Sequence, residues 1–389
     1  MDEFIPLSVP NLKGNECKYI LKALREGWVS TSGTYINKFE KNIAAYLNVK
    51  KAIACQSGTA ALHLALKLSG VTLDNEVIVP TLTFIAAVNP VKYQGAHPIF
   101  MDCDHSLNMD INKLDQFCKT ECILTKDGLK NKKTRRIIKA IIIVHIFGNI
   151  ANMEDVMQIA TKYNLKVIED ATEALGSFYT DGKYNKRFAG TIGDFGAYSF
   201  NGNKIITTGG GGMLVSKNLT DCEKARYLST QAKDDNLYYT HNEIGYNYRM
   251  TNLQASLGIA QLEQLETFIE IKRKNYEFYK DKIHQIKGLD LLEFKKNTRP
   301  NYWFYSLFVD NQKYTLNRDT LLKKLYHCKI QTRPIWSLIH EQKPYSKEQC
   351  YKIETARYYV KKILNIPCST NLSKDNILTI TDILNSYTQ

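Results

Sequence analysis

The sequence predicts an α/β chain: a mostly parallel central sheet with helices on both faces, followed by a smaller C-terminal α+β unit. Three observations predict it. Short runs of aliphatic residues alternate with amphipathic helical patterns from about residue 52 to about residue 215. Such runs lack polar alternation, which suits parallel strands buried on both faces. From about residue 290 the pattern changes to short strands and separate helices. The length, 389 residues, exceeds what one ordinary core fills. The expected division is an N-terminal arm and large domain over 1–255. A long connecting helix and a small domain would then occupy 256–389.

The elements follow in order. An arm leads into a helix over Gly14 to Leu24, and Phe39, Ile43 and Leu47 recur at helical spacing. Ala52 to Cys55 reads as a buried strand, followed by the small polar turn Gln56-Ser57-Gly58-Thr59 and the helix AALHLALKL. Strands are expected at Val77 to Val79, Pro98 to Met101, Ala140 to His145 and Leu165 to Asp170. The basic run Lys126 to Lys139 reads as a solvated loop entering a strand. After Met213 to Val215 one long helix is expected over about Asn252 to Ile283. The C-terminal unit reads as a strand over Trp303 to Val309, a helix over Asn317 to His327 and a short strand over Lys329 to Thr332. Helices over Glu354 to Leu364 and Asp375 to Tyr387 complete it.

Composition removes several function classes. Hydrophobic residues make up 44% and charged residues 23%, the balance of a soluble globular protein. No apolar run reaches the ~18 residues of a membrane helix, and the acidic start does not read as a secretory signal. Nine cysteines without a CxxC pair suggest reduced thiols in a cytoplasm and no metal site. The net charge of +13 fits a lysine-rich surface, because the densest basic run lacks the interleaved aromatics that nucleic-acid binding uses.

The candidate chemistry gathers at the carboxyl ends of the strands, where ligands bind in such sheets. Ser199 to Gly212 sets Lys204 behind a small polar turn and ahead of four glycines. A lysine presented this way suits covalent chemistry with a carbonyl, once burial or a nearby cation depresses its pKa. The turn 56–59 opens a helix, an arrangement that offers free N–H groups to a phosphate. Phe84, His145 and Asp170 fall at other strand ends. A reactive lysine, a carboxylate, an aromatic and a phosphate cradle together fit a pyridoxal 5'-phosphate site. In that reading Phe84 stacks on the ring, and Gly58, Thr59 and Ser199 hold the phosphate.

Motifs along most of the chain also resemble the sugar aminotransferases of the DegT/DnrJ/EryC1/StrS family, within the type I fold of pyridoxal-phosphate enzymes. The resemblance rests on SGTAALHLAL at 57–66, PTLTFIA at 80–86, VHIFGN at 144–149, IEDATEALGS at 168–177, GDFGAYSFNGNK at 193–204, GYNYRMTNLQASLG at 245–258 and QTRPIW at 331–336. It implies Lys204 as the Schiff-base lysine, Asp170 as partner of the pyridine nitrogen, and Ser199 and Thr59 as phosphate ligands. It implies a homodimer in which Asn247 reaches the neighbouring site. Arg333 and His340 lie in a segment that lines the sugar pocket in relatives, and Trp28 is a further candidate there.

Two departures stand out. Glu173 replaces the glutamine of most relatives, three residues after Asp170, and remains a candidate cofactor contact. The turn before the lysine is Asn201-Gly202-Asn203. These features and the opening FIPLSVPNLKGNE resemble members that aminate C4 of nucleotide-linked 4-keto-6-deoxy-N-acetylhexosamines, as in legionaminic acid pathways. L-glutamate is the expected donor. The alternative is a dehydratase or aminotransferase acting at C3 of a dTDP-keto sugar, and Lys204 argues against dehydration because the dehydrating relatives carry histidine there.

Overall fold

The computed structural model describes residues 4–235 and 237–388. Its first strands in chain order are β1 (Ala52–Cys55), β2 (Glu76–Pro80), β3 (His97–Met101), β4 (Cys122–Thr125), β5 (Gly128–Asn131), β6 (Ile137–Val144) and β7 (Lys166–Asp170). After these come β8 (Phe178–Tyr179), β9 (Phe195–Ser199) and β10 (Gly212–Ser216). The C-terminal part adds β11 (Leu289–Leu291), β12 (Thr298–Arg299), β13 (Tyr305–Val309), β14 (Arg333–Pro334), β15 (Gln349–Tyr351) and β16 (Ile363–Ile366).

The central sheet runs β1-β10-β9-β7-β6-β2-β3-β15, with the β4–β5 hairpin attached to β6. From β9 to β15 the neighbours are parallel, while β10 is antiparallel to both β9 and β1. Successive side chains of one strand feed opposite cores, as the pleat requires. Val77, Val79 and Ile142 enter one core, and Ile78, Ile141 and Ile143 the other. Each such isoleucine contributes about 2 kcal/mol through burial. The β-branched runs in β2 and β6 therefore commit these segments to the centre of the sheet.

The helix Gly58–Leu68 is buried on nearly every face and packs on β9 and β10. Ser57 caps it by accepting the Ala60 N–H at 3.0 Å. Gly212 is required here: a Cβ on it would lie 2.4 Å from the Ser57 carbonyl carbon. That close approach lets β10 support the turn ahead of the helix.

A second sheet, β11-β13-β16-β14, is wholly antiparallel and forms the smaller unit. The arm packs on this unit, with Ile5 bridging Ile330 and the Leu7 carbonyl accepting the Cys368 N–H. β15 comes from the C-terminal part yet completes the edge of the large sheet beside β3. The two units are further tied by Asp102, which is fully buried. Its carboxylate accepts the N–H groups of Glu354, Thr355 and Ala356 and the ammonium of Lys113 at 2.6–2.9 Å.

Four expectations differ from the structure. The basic run is not a loop: it folds into the β4–β5 hairpin, because Leu129 and Ile138 pair across β5 and β6 and are buried together. The long helix is two, Asn252–Leu262 and Leu265–Ile283, with the carboxylate of Glu263 at the break bonded to Asn15 and Tyr19. The helix expected over Glu354 to Leu364 stops at Tyr359, since Ile363–Ile366 is taken as a strand between β13 and β14. The strand expected at Lys329 to Thr332 lies a little later, at Arg333–Pro334.

Candidate active site

The carboxyl ends of β1, β2, β7 and β9 open onto one cleft of about 370 Å³. Its walls include Gly58, Thr59, Phe84, Asp170, Glu173, Ser199 and Lys204. The volume suits a small cofactor or ligand. Parallel topology explains the convergence, because residues far apart in sequence end their strands at the same edge.

Lys204 follows a turn closed by its own N–H to the Asn201 carbonyl at 3.0 Å. The residue is only partly covered, but its ammonium lies deep, 4.0 Å from the centre of the Trp303 ring. Trp303 also donates its Nε1–H to the Asn203 carbonyl at 2.7 Å, so one indole fixes both the lysine and its turn. Burial lowers the Lys204 pKa, and the carboxyls of Glu173 and Asp170 pull it partly back. No carboxylate lies within ion-pair distance of this ammonium among the described residues.

Asp170 and Glu169 are neighbours on β7 and therefore face opposite ways. Asp170 turns to the cleft, and its carboxylate accepts the Thr172 N–H at 3.0 Å. Burial raises its pKa, against the bonds from Thr172 and the charge of Lys204. Glu169 turns away, accepts the N–H groups of Gly190 and Ile192 at 2.8 and 2.6 Å, and meets His145 Nε2 at 2.8 Å. Ala151 donates to His145 Nδ1 at 3.2 Å, so the ring proton sits on Nε2 and points at Glu169. His145 is thus an orienting group behind the sheet end and not a wall of the cleft.

Glu173 is buried. Its Oε2 accepts the Phe147 N–H at 2.8 Å, and its main-chain carbonyl accepts the Asn301 amide at 2.9 Å. Burial pushes its pKa up to about 7, with Asp170 adding to the rise and Lys204 opposing it.

The structure does not bring every predicted residue to this cleft. Trp28 is 58% exposed, and only its carbonyl is engaged, by Asn252 at 2.7 Å. Arg333 is exposed on β14. His340 is 8% exposed and held within 2.6 Å of Thr81 Oγ1, packed on Phe100. Asn247 is exposed, with its side chain bonded to Gln231 at 3.1 Å. Sequence reasoning missed Trp303, Phe304 and Thr172 as walls, and Trp336, at the end of the QTRPIW motif, joins them. The aromatic residues come from the C-terminal unit, 99 and more residues from Lys204, and only long-range packing brings them in. Trp303 and Phe304 stack at 4.1 Å, and Trp336 lies against Phe147 at 4.9 Å.

Comparison with known proteins adds the family. The model of the DegT/DnrJ/EryC1/StrS aminotransferase family matches residues 10–385. The chain belongs to that family. It is 36% identical over 386 residues to a GDP-perosamine synthase of Escherichia coli O157:H7, covering 99% of each chain. It is 35% identical over 389 residues to the putative pyridoxal phosphate-dependent aminotransferase EpsN of Bacillus subtilis, covering 99% of this chain and 96% of EpsN. A solved DegT DnrJ EryC1 StrS aminotransferase from Brucella abortus superimposes with a TM-score of 0.85 at 26% identity, covering 96% of this chain and 95% of that one. The family is one of pyridoxal-phosphate-dependent aminotransferases that act on nucleotide sugars in surface-glycan biosynthesis.

Proposed function

We propose that the chain transfers an amino group from L-glutamate to C4 of a nucleotide-linked 4-keto-6-deoxy sugar, using pyridoxal 5'-phosphate held in the Lys204 cleft. The observation that carries this reading is the juxtaposition of a buried lysine amine, a buried carboxylate and a phosphate-sized cradle in one cavity. The cradle fits the cofactor: a Cβ on Gly58 would meet the Thr172 methyl at 2.8 Å and the Ser199 Cβ at 3.0 Å, so only glycine leaves that floor open. The first amides of the helix Gly58–Leu68 have no intrahelical acceptor and stand at this floor.

When bound, the cofactor supplies an electron sink for the substrate carbanion. The residues of the chain do the rest. Lys204 would hold the cofactor and, once released, would take up on Nζ the proton lost from the substrate's amine-bearing carbon. Its depressed pKa favours the free amine that this work needs. Asp170 pairs with the cofactor's ring nitrogen, which favours the protonated ring. Thr59, Gly58 and Ser199 bind phosphate, and Phe84 covers a ring face while Trp303 and Phe304 wall the cleft against water.

Trp28, Arg333 and His340 are assigned to the sugar nucleotide, outside the cofactor cleft. Asn247 serves the neighbouring site of a homodimer. The preferred sugar is a 4-keto-6-deoxy-N-acetylhexosamine of the kind used for legionaminic acid or bacillosamine, on the strength of the sequence resemblance. A GDP-linked 4-keto-6-deoxyhexose is the second reading, favoured by the 36% identity to a GDP-perosamine synthase. Amination or dehydration at C3 of a dTDP-keto sugar ranks below both. The enzyme works in the cytoplasm, and no helix among the described residues is long and apolar enough to cross a membrane. The test is to offer glutamate-treated protein UDP-, GDP- and dTDP-linked keto sugars and locate the new amine by mass spectrometry and NMR. Amine at C3, or no amine on any of them, overturns the proposal.

A further inference from the structure

Two carboxyls and one ammonium share the buried cleft, so one negative charge exceeds what the single cation can offset. A buried anion without a partner is costly, and one carboxyl must keep its proton. The hydrogen bonds decide which. Asp170 is held by both the N–H and the side chain of Thr172. Glu173 receives one N–H, from Phe147 to Oε2, and its Oε1 has no partner among the described residues. Phe147 donates from a left-handed backbone, with φ of 55°, that a non-glycine residue rarely adopts. The next residue, Gly148, is locked as well: a Cβ there would lie 2.0 Å from the Asn301 side-chain oxygen. Asn301 in turn donates to the Glu173 and Leu175 carbonyls. The backbone that presents the Phe147 N–H is therefore fixed, and it holds one oxygen of the Glu173 carboxyl beside the cleft.

We propose that Glu173 is a proton-storing positioning residue that governs Lys204: while it carries its proton Lys204 gives up its own more readily, and once ionised it holds Lys204 as an ammonium. This rests on Lys204 as the reactive lysine, and it gives the site a pH gate near neutrality. The rise of the Glu173 pKa under burial, with Lys204 opposing it, agrees with that role. The charged groups facing Glu173 are Lys204, from the turn after β9, and Asp170, from β7. His145 and Glu169 are paired to each other behind them. The C-terminal segment contributes the neutral Trp303, Phe304 and Asn301.

The sign follows directly. Below neutrality Glu173 is uncharged, and the variant Glu173→Gln resembles it. Above neutrality the wild-type anion raises the Lys204 pKa, and the variant lacks this effect. Glutamine still accepts the Phe147 N–H, so a purely structural role would leave the two proteins alike.

The experiment compares wild type and Glu173→Gln from pH 6 to pH 9 without cofactor, measuring acetic anhydride labelling of Lys204 by mass spectrometry. The variant-to-wild-type rate ratio should be near one at pH 6 and rise above neutrality, by up to about tenfold for one pKa unit of interaction while the pH stays below the Lys204 pKa of both proteins. A ratio that stays flat with pH overturns the proposal. Capture of pyridoxal phosphate by both proteins, followed by visible absorbance, should show the same pH-dependent ratio. If neither protein captures the cofactor while the labelling ratio still rises, the assigned cofactor fails and the Glu173–Lys204 coupling stands.

Discussion

In the proposed mechanism Lys204 owes its reactivity to its surroundings. Its ammonium lies against an aromatic face, out of ion-pair reach of the two carboxyls that share its cleft. Lys204→Ala should abolish turnover without loss of fold, as judged by circular dichroism and amine transfer; residual transfer above a hundredth of wild type would contradict the assignment. Asp170→Asn should fold normally and lower kcat by about a hundredfold or more, since the ring nitrogen would lose the partner that keeps it protonated. Near-normal kcat would remove Asp170 from the mechanism. That Lys204, Asp170 and the turn 56–59 meet at one cleft was legible in sequence, because each sits where a strand run meets a turn. Trp303 was not. Its role depends on Tyr302, whose φ of 54° turns the chain just before β13, and on an indole N–H bond to a residue 100 positions away. His340, read toward the sugar pocket, sits in the short turn Ile339–Glu341 and packs against Thr81 and Phe100.

At the scale of elements, β1, β2, β3, β6 and β7 were readable because strands buried on both faces are continuous apolar runs. The errors fell where pairing with distant partners decides. Ile363–Ile366 carries a helix-compatible pattern, yet both its neighbours in the small sheet are already strands. The short helix before it is held at its start by Asp102, and that tie between units is itself testable. Asp102→Ala should destabilise the protein by about 3–5 kcal/mol, because Lys113 and three N–H groups would lose a fully buried charged acceptor. The carboxyl's pKa is lowered in the fold: burial raises it, but the bonds from Lys113 and the three amides more than offset that. Its stabilisation is therefore present above the unfolded value near 3.8 and lost as pH falls through the lower folded value. Urea unfolding of both proteins should show a gap that is full at pH 6 and narrows below pH 4. A constant gap would mean that packing, not the charge, carries the tie.

For the whole molecule, the proposed shared site turns on the segment that presents Asn247. That segment leaves Tyr238, Tyr239 and Ile244 between 66% and 86% exposed, a surface that a second copy would cover. Mixing Lys204→Ala with Asn247→Ala chains should restore activity, because hybrid dimers contain one site with both residues intact. The expected recovery is up to about a quarter of wild type if subunits exchange freely. Exchange without recovery would assign Asn247 to its own subunit or to no site. The two-unit organisation was legible from length and from the change of pattern near residue 290. The crossing of β15 back to the large sheet was not, since three residues carry no signal of which sheet they join.

The most direct test of the central claim is the visible absorbance of purified protein incubated with pyridoxal phosphate, recorded before and after adding L-glutamate. The account predicts a yellow band that forms with wild type, falls on glutamate, and is missing from Lys204→Ala. A wild-type protein that stays colourless, or a band that Lys204→Ala retains, would contradict it.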